Sequence, residues 1–207
     1  MPNFTDPRFR QLNESNRRAQ AFLDRSEWAD AMEAFVKVRE LADKLGFDGS
    51  WASWGIAICL DANGEYEMAY GNMLSALQVD PLNLGKQGSF DVIVGHIRAS
   101  LADPARTAED ASTPRLYRLL VQSAEADGPS HLAMARHLSA AGDNAGAMRL
   151  VDAVTTLSPT WREGWERKAQ VARALGNAQL AVECEAEAAT CCPANKPFGI
   201  PTSSVTC

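Results

Sequence analysis

Gly64, Ala69 and Pro81 stand at the same mutual offsets as Gly142, Ala147 and Pro159, and as Gly176, Ala181 and Pro193. The last two sets lie 34 residues apart. A period of that size means one supersecondary unit used repeatedly, and such a unit cannot bury its apolar face alone. Each copy must stack on a neighbour, and the stack leaves one broad face open. Fold class is thus set before any single residue is read.

Within residues 50–83 the first half carries Trp51, Trp54, Ile56, Ile58 and Leu60 at helical spacing on two faces. Gly64 marks a tight turn, where a left-handed backbone costs glycine nothing. Tyr66, Ala69, Met73, Ala76, Leu77 and Val79 then form an amphipathic helix that Asp80-Pro81 ends. The segment predicts two antiparallel helices and a short turn. Residues 128–161 and 162–195 repeat the plan, with turns at Gly142 and Gly176. Small alanines at 69, 147 and 181 fit a close helix crossing.

Two further copies are fainter. Trp28, Ala31, Phe35, Val38 and Leu41 follow the second-helix pattern, with Ala19 and Phe22 on the helix before. Between 84 and 127, Phe90, Ile93, Ile97 and Leu101 predict one helix, and Leu116, Leu119 and Leu120 another, opened by Thr113-Pro114. Ala102 to Ser112 predicts a polar loop, and Gly85-Lys86-Gln87-Gly88 another, since it lacks the ending of a phosphate-binding loop.

These residues resemble the tetratricopeptide repeat (TPR) family, whose small residues, turn glycine and closing proline fall on Ala57, Gly64, Ala69, Ala76 and Pro81 in the stretch 50–83. The same roles fall on Ala135, Gly142, Ala147, Val154 and Pro159, and on Ala169, Gly176, Ala181, Ala188 and Pro193. The resemblance implies an all-α, right-handed α-solenoid of about five helix-turn-helix repeats. The expected boundaries are 12–49, 50–83, 84–127 (irregular), 128–161 and 162–195, in one solenoid domain over 12–195. Residues 1–11 read as an N-terminal extension and 196–207 as a tail.

In the resembled family, the second, fifth, ninth and twelfth positions of each first helix line a concave groove. By that register the groove takes Asn13, Asn16, Gln20 and Leu23, then Trp51, Trp54, Ile58 and Asp61. Further along it takes Leu132, Arg136 and Ser139, and then Glu163, Glu166, Gln170 and Arg173. Tryptophans facing a groove serve as binding anchors. Trp54 suits that role because Ile56 and Leu60 suffice for the inter-helix core; the alternative is that both tryptophans cover the lengthened loop at Phe47. One subfamily clamps the acidic C-termini of chaperones with Lys, Asn and Arg at set groove positions. Here Asn16 stands where the clamp wants Lys, Gln20 where it wants Asn and Gly55 where it wants the second Asn, so the clamp is not preserved and chaperone-tail binding is not expected.

The net charge of -6 and pI near 5.1 argue against a nucleic-acid surface, which needs a basic stripe. No apolar run is long enough to span a membrane, and the polar start predicts no export signal, hence a cytoplasmic protein with five reduced cysteines. His131 and His137 are six apart, about 240° round a helix, and cannot share a metal. No catalytic triad, nucleotide fingerprint or metal spacing appears, so no cofactor, no metal and no enzymatic activity are expected. Cys184 and Cys191 read as small packing residues. At the C-terminal end, Leu180, Cys184, Ala188 and Cys191 would face outward, with Phe198, Ile200 and Val205 of the tail as a cap.

The resemblance implies a non-enzymatic scaffold or adaptor holding a peptide or protein surface in its groove. The alternatives are a self-assembling module that forms homo-oligomers through its repeat ends, or an accessory subunit or secretion chaperone presenting cargo.

Overall fold

A computed structural model describes residues 7–192 and Pro197. Among these residues the protein is all-α, with ten helices and no strand. In order they are α1 (Pro7–Asp24), α2 (Trp28–Leu45), α3 (Ser50–Ala62), α4 (Tyr66–Val79), α5 (Leu84–Ala102), α6 (Thr113–Gln122), α7 (Gly128–Ala140), α8 (Asn144–Leu157), α9 (Arg162–Ala174) and α10 (Ala178–Thr190). The chain forms two compact units, the first up to His96 and the second from Ile97 on, so the division falls within α5.

The periodic residues account for the helix ends. Gly64, Gly142 and Gly176 turn the chain between paired helices with φ of 77°, 85° and 77°. Without a β-carbon this left-handed backbone carries little strain. Beside the last two turns, Asp143 accepts a hydrogen bond from the Gly146 amide at 2.7 Å and Asn177 from the Leu180 amide at 3.0 Å. Each satisfies a first-turn donor that would otherwise lack a partner. Helices α4 and α8 stop two residues before Pro81 and Pro159.

The small residues sit where helices touch. Ala57, Ala69, Ala135, Ala147, Ala169 and Ala181 are all buried, as are Ala19 and Ala31 of the N-terminal pair. In the second unit Leu132, Ala135, Ala147, Val151, Val154, Trp161 and Val171 make one continuous apolar core.

Four expectations need correction. Helix α1 begins at Pro7, inside the stretch read as an extension. Helix α5 begins at Leu84 rather than near Phe90, so Gly85 to Gly88 are helical. The cause is a cap and tertiary bonds: the Asn83 side-chain Oδ1 accepts from the Lys86 amide at 3.1 Å, and Lys86, only 4% exposed, donates from Nζ to Ser50 Oγ at 3.2 Å and to the Ala76 carbonyl at 3.3 Å. The C-terminal face read as outward-facing is covered: Cys184, Ala188 and Cys191 are buried and Leu180 is half-buried, and the exposed large apolar residue of α10 is Val182. Cys192 is disulfide-bonded, so the reading of five reduced thiols fails there.

The loop 103–112 falls where the sequence predicts it, and Arg106 organises it. Its guanidinium donates to the Ser100 carbonyl and hydroxyl, to Ser112 and Thr113, and pairs with Asp110 at 3.1 Å. The cap expected from Phe198, Ile200 and Val205 lies outside the described residues. Pro197 is buried against Gly128, close enough that a β-carbon on Gly128 would clash with it.

Candidate functional site

In the first unit, the facing sides of α1 and α3 enclose a cleft of about 250 Å³. Its lining is Asn16, Gln20 and Leu23 from α1, Phe35 from α2, and Trp51, Trp54, Gly55 and Ile58 from α3. Helical spacing explains the set: positions three and four apart stack on one face, so 16, 20 and 23 share a stripe, as do 51, 54, 55 and 58. Six of the predicted groove residues (Asn16, Gln20, Leu23, Trp51, Trp54 and Ile58) therefore line a single cleft.

Gly55 is needed for the floor. A β-carbon there would lie 2.5 Å from the Phe35 ring, so only glycine lets Phe35 reach beneath α3. The two tryptophans differ. The Trp54 indole donates to Ser89 Oγ at 3.0 Å, and a β-carbon on Gly85 would meet its ring at 3.2 Å, so Trp54 ties α3 to the first turns of α5. Trp51 is 37% exposed and freer to meet a ligand. Further along, His96 Nδ1 lies 2.8 Å from the Asp61 carboxylate.

Polar groups in the cleft are few. Gln20 donates to Asp24 at 2.8 Å, whereas Asn16 Oδ1 is buried with no hydrogen-bond partner. A buried acceptor without a donor costs about 1–3 kcal/mol. No charged side chain lines the cleft. Elsewhere on α3, burial pushes the Cys59 thiol up to about 11, so at neutral pH it packs as a thiol rather than acting as a thiolate nucleophile.

Of the remaining predicted residues, Asn13 and Asp61 belong to the first unit but do not line this cleft, and the others belong to the second unit. Leu132 is 3% exposed and sits in the core between α7 and α8, a correction to its expected groove position. Arg136 is half-buried on α7. Gln170 is exposed and accepts from Arg167 Nη1 at 2.6 Å, and Arg173 is exposed and ion-paired with Glu185. The sequence reading passed over Phe35, which reaches the cleft from a second helix, and Arg162 and Arg167, which flank the expected groove positions of α9.

Every stretch with the 34-residue pattern is thus a pair of antiparallel helices with an alanine at the crossing and a glycine at the turn. In fold the chain is tetratricopeptide-like. No family model matches it, and no curated protein does. Solved structures to which it is similar include MamA from Desulfovibrio magneticus, at 13% identity and a TM-score of 0.41 over 86% of this chain and 93% of that one. A thermophilic TPR protein of Thermus thermophilus aligns at 14% identity and a TM-score of 0.38, over 86% of this chain and 89% of that one. NprR, solved with its cognate peptide NprX, aligns at 14% identity and a TM-score of 0.41, over 87% of this chain and 55% of that one. Among the described residues, no tetratricopeptide-like helix is long and apolar enough to cross a membrane.

Proposed function

We propose that the chain is a non-enzymatic interaction scaffold whose first unit holds an apolar segment of a protein partner between α1 and α3. The observation that carries this reading is the cleft itself. An uncharged recess walled by Trp51, Trp54, Ile58, Leu23 and Phe35 suits one large apolar side chain, and the unpartnered Asn16 Oδ1 beside it suits an amide donor from the same segment. Concave sites of this make-up, mostly apolar with a few placed polar groups, bind by desolvating an anchor and fixing it with hydrogen bonds. Trp51 is the residue best able to serve as the anchor's contact, because Trp54 is already committed to Ser89.

The test is a selection of displayed random peptides on the intact chain, followed by affinity measurement of the winners against variants. Selected peptides should carry an apolar anchor, and Trp51→Ala should weaken them about 30-fold, the effect of a hot-spot loss near 2 kcal/mol. Its melting temperature should stay within a few degrees of the parent. Peptides indifferent to Trp51→Ala would overturn the reading, as would a collapse of melting temperature that put Trp51 in the core.

A further inference from the structure

Beyond α10, the second unit holds the chain at three points. The first is Cys191, where the chain leaves the helix with an extended backbone, φ -74° and ψ 138°. Its carbonyl accepts from Arg162 Nη2 at 2.9 Å, which fixes the exit against the start of α9. The second is Cys192, whose sulfur is in a disulfide. The third is Pro197, buried at Gly128, the first residue of α7. A β-carbon on Gly128 would lie 2.4 Å from Pro197 Cβ and 3.0 Å from the Trp161 ring, so glycine is what leaves room for both. Trp161 belongs to the apolar core of the unit, and Pro197 is thus seated at the edge of that core.

The partner of Cys192 follows from the cysteine count. The chain has five, and Cys59, Cys184 and Cys191 are free thiols, which leaves Cys207. Cys191, the nearest in sequence, is a poor competitor. It is buried, its Sγ donates to the Glu187 carbonyl at 3.3 Å, and burial pushes its thiol up. The thiolate is the attacking form in disulfide exchange, so at neutral pH Cys191 does not displace its neighbour's bond. Cys207 lies outside the described residues, and its assignment rests on this count. A chain end is poorly ordered unless something ties it down. Closing a ring between residues 192 and 207 reduces the conformations open to an unseated segment, and so favours the seated one.

We infer that a Cys192–Cys207 disulfide makes the C-terminal segment a redox-sensitive strap, which keeps Pro197 on Gly128 and Trp161 when oxidised and releases it when reduced. A dithiol reductant opens the strap. One of its thiolates takes a cysteine sulfur into a mixed disulfide and frees the other cysteine; its second thiol then closes a cyclic disulfide and frees the first. In total the pair takes up two electrons and two protons. A compartment that keeps thiols reduced holds the strap open, and an oxidising one holds it closed. The inference draws on neither the α1–α3 cleft nor the scaffold reading.

Peptide mapping of the intact chain, equilibrated in air without reductant and then alkylated in denaturant, tests the pairing. It should give one linked peptide joining Cys192 to Cys207, with Cys59, Cys184 and Cys191 alkylated. Hydrogen exchange tests the strap itself. Adding a dithiol should speed exchange about tenfold in the amides of residues 130–134 and 161–165, and leave those of α2 and α3 unchanged. Cys207→Ser, which alters no described residue, should exchange without reductant as the reduced parent does, and should no longer respond to the dithiol. Cys192→Ser should match it. The inference is overturned if Cys192 is alkylated or is linked to any cysteine but Cys207. It is overturned equally if reduction leaves residues 130–134 and 161–165 as protected as before, since Pro197 would then be seated without the disulfide.

Discussion

Ser26 is the residue that most obscures this chain's regularity. It stands five positions before Ala31, the place held by glycine before Ala69, Ala147 and Ala181, and it adopts the same left-handed turn with φ of 58°. A side chain in that region costs roughly 1–2 kcal/mol, offset in part by the greater freedom a glycine loses on folding. Ser26→Gly should therefore stabilise the protein by about 0.5–1 kcal/mol and raise the melting temperature by about 1–4 °C. A drop in melting temperature would mean that the serine side chain contributes more to the turn than its backbone strain takes away. The same substitution shows why the first pair was faint in the sequence: its helices carry the usual alanines, but the turn lacks its glycine. Trp51 and Trp54 were legible as a pair, yet their division of labour was not. It depends on Ser89 and Gly85, which lie more than 30 positions along the chain, and local spacing carries no trace of them.

Among the elements, α5 departs furthest from what its residues suggest. Glycines at 85, 88 and 95 each lower intrinsic helix stability by about 1 kcal/mol relative to alanine, which is why residues 85–88 read as a loop. The helix nonetheless starts at Leu84 because its first turn is fastened from outside. Lys86 Nζ reaches the Ala76 carbonyl at the end of α4 and Ser50 at the start of α3, and Gln87 donates to the Pro81 carbonyl at 2.6 Å. Tertiary hydrogen bonds override propensity here. Lys86→Ala should remove both Nζ bonds, leave the Ala76 carbonyl without its side-chain donor, and destabilise by about 1–3 kcal/mol. Hydrogen exchange should locate the damage: amides of residues 85–90 should lose protection before those of 93–101. If the first turn stays as protected as in the parent, Asn83 and Gln87 suffice to hold it. Helix α6, by contrast, was legible because Thr113-Pro114 is a start signal that needs no distant partner, although Ser112 rather than Thr113 stands at the N-cap and Ser123 falls just past the helix end.

For the whole molecule, the repeats set how a local injury spreads. Within each unit the helices pack on their immediate neighbours, and on the next helix of the same kind where α1 meets α3 and α7 meets α9. Stability in such stacks is close to a sum over units and their shared faces, and it can be lost in parts. This is also why fold class was legible from three triplets of residues while the α1–α3 cleft was legible only in its two walls. A period records which faces must be covered, whereas the floor of that cleft depends on Phe35 arriving from α2 beneath Gly55. Ala181 allows a sharp test because it is 2% exposed at the position where α10 crosses α9. Leucine there adds volume that a packed crossing cannot hold, at a cost of about 1–3 kcal/mol. Exchange measured by mass spectrometry on Ala181→Leu should rise across residues 162–190 and stay at parental values across α1 to α4. Leucine at the exposed Glu185 should leave both regions unchanged, apart from releasing Arg173. Equal loss of protection in α1 to α4 and in α9–α10 would mean that the chain unfolds as one cooperative body, and that the repeat governs its architecture without governing its stability.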